Sequence, residues 1–130
     1  MLTALMDHPN GIVAVRVAKA IAAREILCTS IIVAAESRFG VAKKDSSRLR
    51  RQVEDLLAEI DILPFEPNAD EYYAELRADL ERKGKLIGGN DMFIAAHALA
   101  TDSILVTANV REFSRVKGLK YENWLADPTA

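Results

Sequence analysis

The stretch Ile87-Gly88-Gly89-Asn90-Asp91-Met92-Phe93-Ile94-Ala95-Ala96-His97-Ala98 constrains this chain more than any other. Two glycines allow a sharp turn, and Asn90 is a strong candidate for a helix N-cap. After Asp91 the residues are apolar on nearly every face of a helix, broken only by His97. A helix with no polar side has to be buried, so the fold is built around it. Asp91 would sit in the first turn. There it either complements the helix dipole, worth roughly 0.3–1 kcal/mol, or works as an acid at the mouth of a central helix. His97 reads as a core histidine rather than a ligand.

The 130 residues suit one domain, 1–130, with room for a single core. Lys and Arg number 17 against 19 Asp and Glu, so no overall basic field advertises nucleic acid. Two local clusters remain: Lys43, Lys44, Arg48, Arg50 and Arg51, and Arg111, Arg115, Lys117 and Lys120. Either could contact phosphate. Cys28 is the single cysteine, which excludes a disulfide framework or a thiolate metal site and points to a reducing cytosol. The sequence shows neither a signal peptide nor a membrane-length apolar stretch, so a cytoplasmic protein is expected.

Along the chain, residues 1–6 read as a helix already under way, and Asp7-His8-Pro9-Asn10-Gly11 as a turn. Residues 12–23 suggest a second amphipathic helix. Ile26-Leu27-Cys28-Thr29-Ser30-Ile31 suits a buried parallel strand, and residues 32–44 turn helical, with Glu36 among small and apolar neighbours. Ser46 or Ser47 can cap a further helix carrying Leu49, Val53, Leu56, Leu57 and Ile60 at helical spacing. Ile62-Leu63-Pro64 reads as an edge strand or extended connection. The next helix starts at Asn68 or Asp70, buries Ala69, Tyr73, Leu76 and Leu80, and stops at Gly84. Ile104-Leu105-Val106-Thr107 is a strand, residues 108–113 a loop and short helix, and residues 119–124 a last short strand anchored by Trp124. Strands alternating with helices predict an α/β fold with a parallel sheet. Ligands bind beyond the carboxyl ends of such strands, where Glu36, Asp91 and Asn109 could meet.

Carboxylates without cysteine partners suit a hard cation such as Mg²⁺ or Mn²⁺, which can drive phosphodiester hydrolysis. A nucleophilic triad is weak, because Ser30 and Ser37 lack a convincing histidine partner. The Gly-rich loops of nucleotide-binding proteins are absent. A receiver-like phospho-acceptor domain would need an acceptor Asp at a strand end and a late Lys, and neither is found.

Three separated motifs then carry a resemblance: Glu36-Ser37-Arg38-Phe39-Gly40; Gly88-Gly89-Asn90-Asp91 with Ile94-Ala95-Ala96-His97-Ala98; and residues 105–113 continuing through Gly118-Leu119 and Glu122-Asn123-Trp124. Together they resemble the PIN-domain ribonuclease toxins of the VapC type, over essentially the whole chain. The resemblance implies a PIN-like three-layer fold, with a parallel sheet flanked by helices. It also implies Mg²⁺-dependent (or Mn²⁺-dependent) cleavage of RNA, silencing by a VapB-type antitoxin, and a homodimer. By the same resemblance Glu36 and Asp91 belong to the metal site, Asn109 helps orient water or metal, and Glu112 is a further acid near the rim. Arg111 or Arg38 would contact phosphate or the antitoxin. Family members begin with a central strand ending in Asp-Thr-Asn. With residues 1–6 read as a helix, that strand and its Asp are missing here, Asp7 cannot substitute, and the chain is N-terminally truncated. On this reading an impaired domain that only binds its antitoxin is the alternative to a nuclease.

Overall fold

A computed structural model describes residues 3–7, 19–20 and 22–124. Its strands are β1 (Thr3–Met6), β2 (Ile26–Ser30), β3 (Asp61–Leu63), β4 (Ile104–Val106) and β5 (Tyr121–Glu122). Its helices are α1 (Ile31–Lys44), α2 (Ser47–Ala58), α3 (Ala69–Arg82), α4 (Gly89–Ala100) and the short α5 (Val110–Phe113). Residues 19, 20 and 22 are also helical and Ala23 is already in a turn, while residues 12–18 and 21 of the helix expected over 12–23 lie outside the described residues. All strands are parallel in one five-stranded sheet ordered β3-β2-β1-β4-β5. This is the α/β architecture expected from the sequence, with β3 an edge strand as read.

The expectation of a missing central strand is overturned. β1 is the centre of the sheet, pairing Leu5 with Cys28 on one side and with Leu105 on the other. A strand buried on both faces shows no alternation of apolar and polar residues. Ala4, Leu5 and Met6 are all buried, and Ala, Leu and Met are also strong helix formers. That is why the segment reads as a helix when taken alone. Successive side chains point to opposite faces. Leu5 joins a core with Leu76 and Leu80 of α3 and Ile94 of α4, and Met6 joins another with Val53 and Leu57 of α2. Asp7 therefore ends the central strand instead of lying in a turn after a helix. With β1 in place, the argument for a truncated chain loses its basis.

Local chemistry sets the helix ends. Ser30 caps α1, its hydroxyl oxygen accepting from the Ile32 N–H at 3.1 Å, and Ser46 caps α2 by accepting from Leu49. Gly84, at φ +64°, takes the left-handed turn after α3, and Lys85 N–H donates back to the Leu80 carbonyl at 2.9 Å. The N-cap of α4 is Gly88 rather than Asn90, which is already helical and exposed. The Gly88 carbonyl accepts the Met92 N–H at 3.0 Å, so the second glycine of the pair starts the helix and Asn90 arrives too late to cap it. As expected, α4 is largely buried beyond its first turn, at Met92 and from Ile94 to Ala98. Tyr73 of α3 stacks on its Phe93 at 4.1 Å between ring centroids, whereas Tyr72 stays partly exposed. Among the described residues no helix is long and apolar enough to cross a membrane.

Leu5 is fully buried between two strands. Leu5→Ala should lower unfolding free energy by about 2–5 kcal/mol, read from urea denaturation; a loss below about 1 kcal/mol would contradict a central β1.

Candidate active site

Along the sheet the chain order reverses between β1 and β4: β2 and β3 lie to one side of β1, β4 and β5 to the other. Loops leaving the carboxyl ends of two such strands diverge and open a crevice. Asp7 follows β1 and Thr107 follows β4, so both stand at its floor, and both are buried. Asp7 N–H donates to the Val106 carbonyl at 2.8 Å, and the Thr107 hydroxyl donates to Asp7 Oδ2 at 2.8 Å. The Thr107 oxygen also accepts the Asn109 N–H at 3.0 Å, and Asn109 Nδ2 donates to Glu112 Oε2 at 2.9 Å. One line of hydrogen bonds thus runs from Asp7 to Glu112.

Asp91 enters from the opposite side, in the first turn of α4. A Cβ on Gly88 would stand only 3.2 Å from Asp91 Oδ2, so this glycine gives the carboxylate room to lie back over the helix start. Burial pushes the Asp91 carboxyl up to about 7, helped by its hydrogen bond with Glu112 and by the negative charges of Asp7, Glu112 and Glu36. Glu112 moves the other way, held low by the Asn109 amide and by Asp91. The two acids share a hydrogen bond in which Asp91 is the harder of the pair to ionise. Glu36 completes the group from α1, and its Oε1 is buried with no hydrogen-bond partner among the described residues.

The structure thus gathers Glu36, Asp91, Asn109 and Glu112, and adds Asp7, which sequence reasoning had set aside. A usable signal existed: each long strand is an apolar run that gives way to a polar residue at its carboxyl end, and Leu5-Met6-Asp7 fits that pattern. His8-Pro9 follows Asp7 where Thr-Asn was expected. The Asn109 side chain is committed to Glu112, so it orients that acid. Arg38 is also committed, since its guanidinium grips Glu54 with two bonds of 3.0 Å.

Contrary to expectation, Ser30 does have a histidine partner, with His97 Nδ1 at 2.7 Å from its hydroxyl oxygen. The pair is not a nucleophile and base. Both residues are buried, and the Ser30 oxygen is occupied by the Ile32 N–H. Burial holds the imidazole below its usual range, outweighing the Pro64 backbone and the charge of Glu66, which pull it up. His97 ties α4 to the cap of α1 as a buried strut.

A family model for the PIN domain matches residues 2–119. The chain belongs to the PIN-domain family. It is 40% identical over 105 residues to the ribonuclease VapC2 of Rickettsia felis, covering 80% of this chain and 78% of that one. To the tRNA(fMet)-specific endonuclease VapC of Shigella flexneri it is 35% identical over 99 residues, 75% of each chain. Among solved structures, the VapBC2 complex of Rickettsia felis bound to a promoter DNA fragment superposes with a TM-score of 0.84 at 33% identity, over 95% of this chain and 99% of the matched one. The DNA-bound VapBC of Salmonella typhimurium gives 0.80 at 29% identity, with 95% and 99% covered.

PIN-domain nucleases generally use divalent metal ions, and the residues of this PIN domain fit one. The donors are all oxygens, Glu36 Oε1 lacks a partner among the described residues, and burial and neighbouring carboxylates make Asp91 hard to ionise. Among the described residues no three His, Cys, Asp or Glu side chains are already gathered as a ligand cage.

An acid whose folded pKa exceeds its unfolded value favours the native state below the unfolded pKa. That contribution is lost as pH rises through the folded value, here from about 3.8 to about 7. Asp91→Asn mimics the protonated form, so its melting temperature should match the parent near pH 4 and exceed it near pH 8. Equal melting temperatures at both pH values would contradict the crowding.

Proposed function

We propose that this chain, as one PIN-like domain, is an endoribonuclease that cleaves RNA phosphodiester bonds with Mg²⁺ or Mn²⁺. It would serve as the toxin of a toxin–antitoxin pair, as a homodimer bound and silenced by a VapB-type antitoxin. The observation that carries the chemistry is the convergence of carboxylates on the half-buried acid Asp91, which burial and the charges of Glu112, Asp7 and Glu36 make hard to ionise. Such a site holds more negative charge than it can neutralise by itself. The antitoxin part rests on the VapBC complexes among the similar structures. The impaired-module alternative rested on a missing strand and loses that support.

Asp7, Glu36 and Asp91 would hold the cation. When bound, it would stabilise charge on the phosphate oxygens and make water a stronger nucleophile. Glu112, fixed by the Asn109 amide, would accept a hydrogen bond from the attacking water and turn it toward phosphorus. Thr107 keeps Asp7 from rotating away. Lys43 and Lys44 in the last turn of α1, and exposed Arg111 beside Glu112, would meet the RNA backbone.

Asp91→Asn and Asp7→Asn should each reduce Mg²⁺-dependent RNA cleavage by about a hundredfold or more, at least the scale of losing a residue that supports a metal ligand. Circular dichroism spectra should stay unchanged. Undiminished cleavage by a folded Asp91→Asn chain would remove that residue from the site. Adding a VapB-type antitoxin in excess should suppress cleavage by the parent chain in the same gel assay, and a stable complex that still cuts RNA freely would contradict silencing.

A further inference from the structure

Beside the carboxylates lies a groove of about 770 Å³ whose walls are chiefly apolar and aromatic: Ile31, Ile32 and Ala35 of α1, with Phe39, Phe65 and Phe93. Glu36 and Asn90 also line it, so it opens directly onto the acidic crevice. Positions 32, 35, 36 and 39 fall on one stripe of α1. The helix already buries another side through Val33, Ala34 and Val41. This second apolar stripe is left facing outward. Phe39 is 67% exposed and Ile31 42% exposed, a costly arrangement unless something covers them. On the other side of Glu36 a smaller cleft of about 290 Å³ is lined by Ser37, Gly40 and Lys44. Glu36 thus divides an aromatic groove from a cleft that carries a cation.

We propose that the groove is a nucleobase subsite, in which Phe39 stacks on an unpaired base adjoining the scissile phosphate. This rests on the ribonuclease reading and adds to it where the neighbouring nucleotide goes. A phosphate held at the carboxylates leaves its attached base within a nucleotide's length of Glu36. On the groove side that base meets π faces and aliphatic walls, which suit a flat ring. Phe93 is braced from behind by Tyr73, stacked at 4.1 Å, and Phe65 meets it edge-on at 5.5 Å. The floor is therefore rigid, while Phe39 is the free side chain able to close on a base. Exposed Asn90, at the mouth, offers an amide to the base edge. The backbone would then pass Glu36 toward Lys44. Such a subsite admits unpaired nucleotides and rejects a duplex, whose bases are already stacked.

The test uses the full chain and single-stranded RNA 12-mers carrying 2-aminopurine at successive positions around the cut. Binding to Asp91→Asn, which should not cut, should change the fluorescence of the probe at one position next to the scissile bond. Adding Phe39→Ala should abolish that change and weaken binding about tenfold, the scale of one lost base–aromatic stack. In cleavage, Phe39→Ala alone should raise KM by a similar factor with little change in kcat. If Asp91→Asn still cuts, the ribonuclease reading itself fails. If Asp91→Asn is inactive but Phe39→Ala leaves both KM and probe fluorescence unaltered, the base subsite alone is refuted. Unaltered RNA binding with a shift toward monomer on size exclusion, or with loss of antitoxin binding, would likewise refute it and assign the groove to a second copy or to a peptide.

Discussion

Backbone pairing of β1 on both sides is the constraint on which the rest depends. Leu5 reads into β2 and β4 at once, so the two halves of the sheet meet only through this strand. Its carboxyl end is also where the chain order reverses, and the Thr107–Asp7 bond fastens the two diverging strand ends there. Remove that seam and both the core and the crevice lose their common edge. The acids then have no shared floor on which to meet.

The site works against its own electrostatics. Burial, together with the carboxylates of Glu112, Asp7 and Glu36, raises the cost of ionising Asp91, while Glu112 is held low by the Asn109 amide and by Asp91. Hydrogen bonds from Thr107 and Asn109 offset part of the repulsion without removing it. A hydrogen-bonded acid pair is what such a site forms with only its own groups to share the charge. An incoming divalent charge would reverse the preference.

Much of this was legible in the sequence. The buried α4, the strands β2 and β4, the edge position of β3 and the caps at Ser46 and Gly84 follow from periodicity and turn chemistry. So do the acids Glu36 and Asp91, each near the start of a helix that follows a loop or strand. β1 was not legible. Ala4, Leu5 and Met6 are all buried, so the alternation that betrays a strand is missing, and its composition favours a helix in isolation. Only the neighbouring strands decide the matter, through pairing across long separations in sequence. The Ser30–His97 contact was hidden for a similar reason: nothing local in either helix announces a partner 67 positions away. The commitments of Arg38 to Glu54 and of Asn109 to Glu112 depend on rotamers that composition does not encode.

That same Ser30–His97 contact governs how the crevice can deform. It clamps the start of the helix bearing Glu36 to the body of the helix bearing Asp91. Loops at the rim can shift while the gap between these two acids keeps its width. Accommodation of differently shaped partners then falls to the outer walls, while the spacing of the two acids at the floor stays fixed.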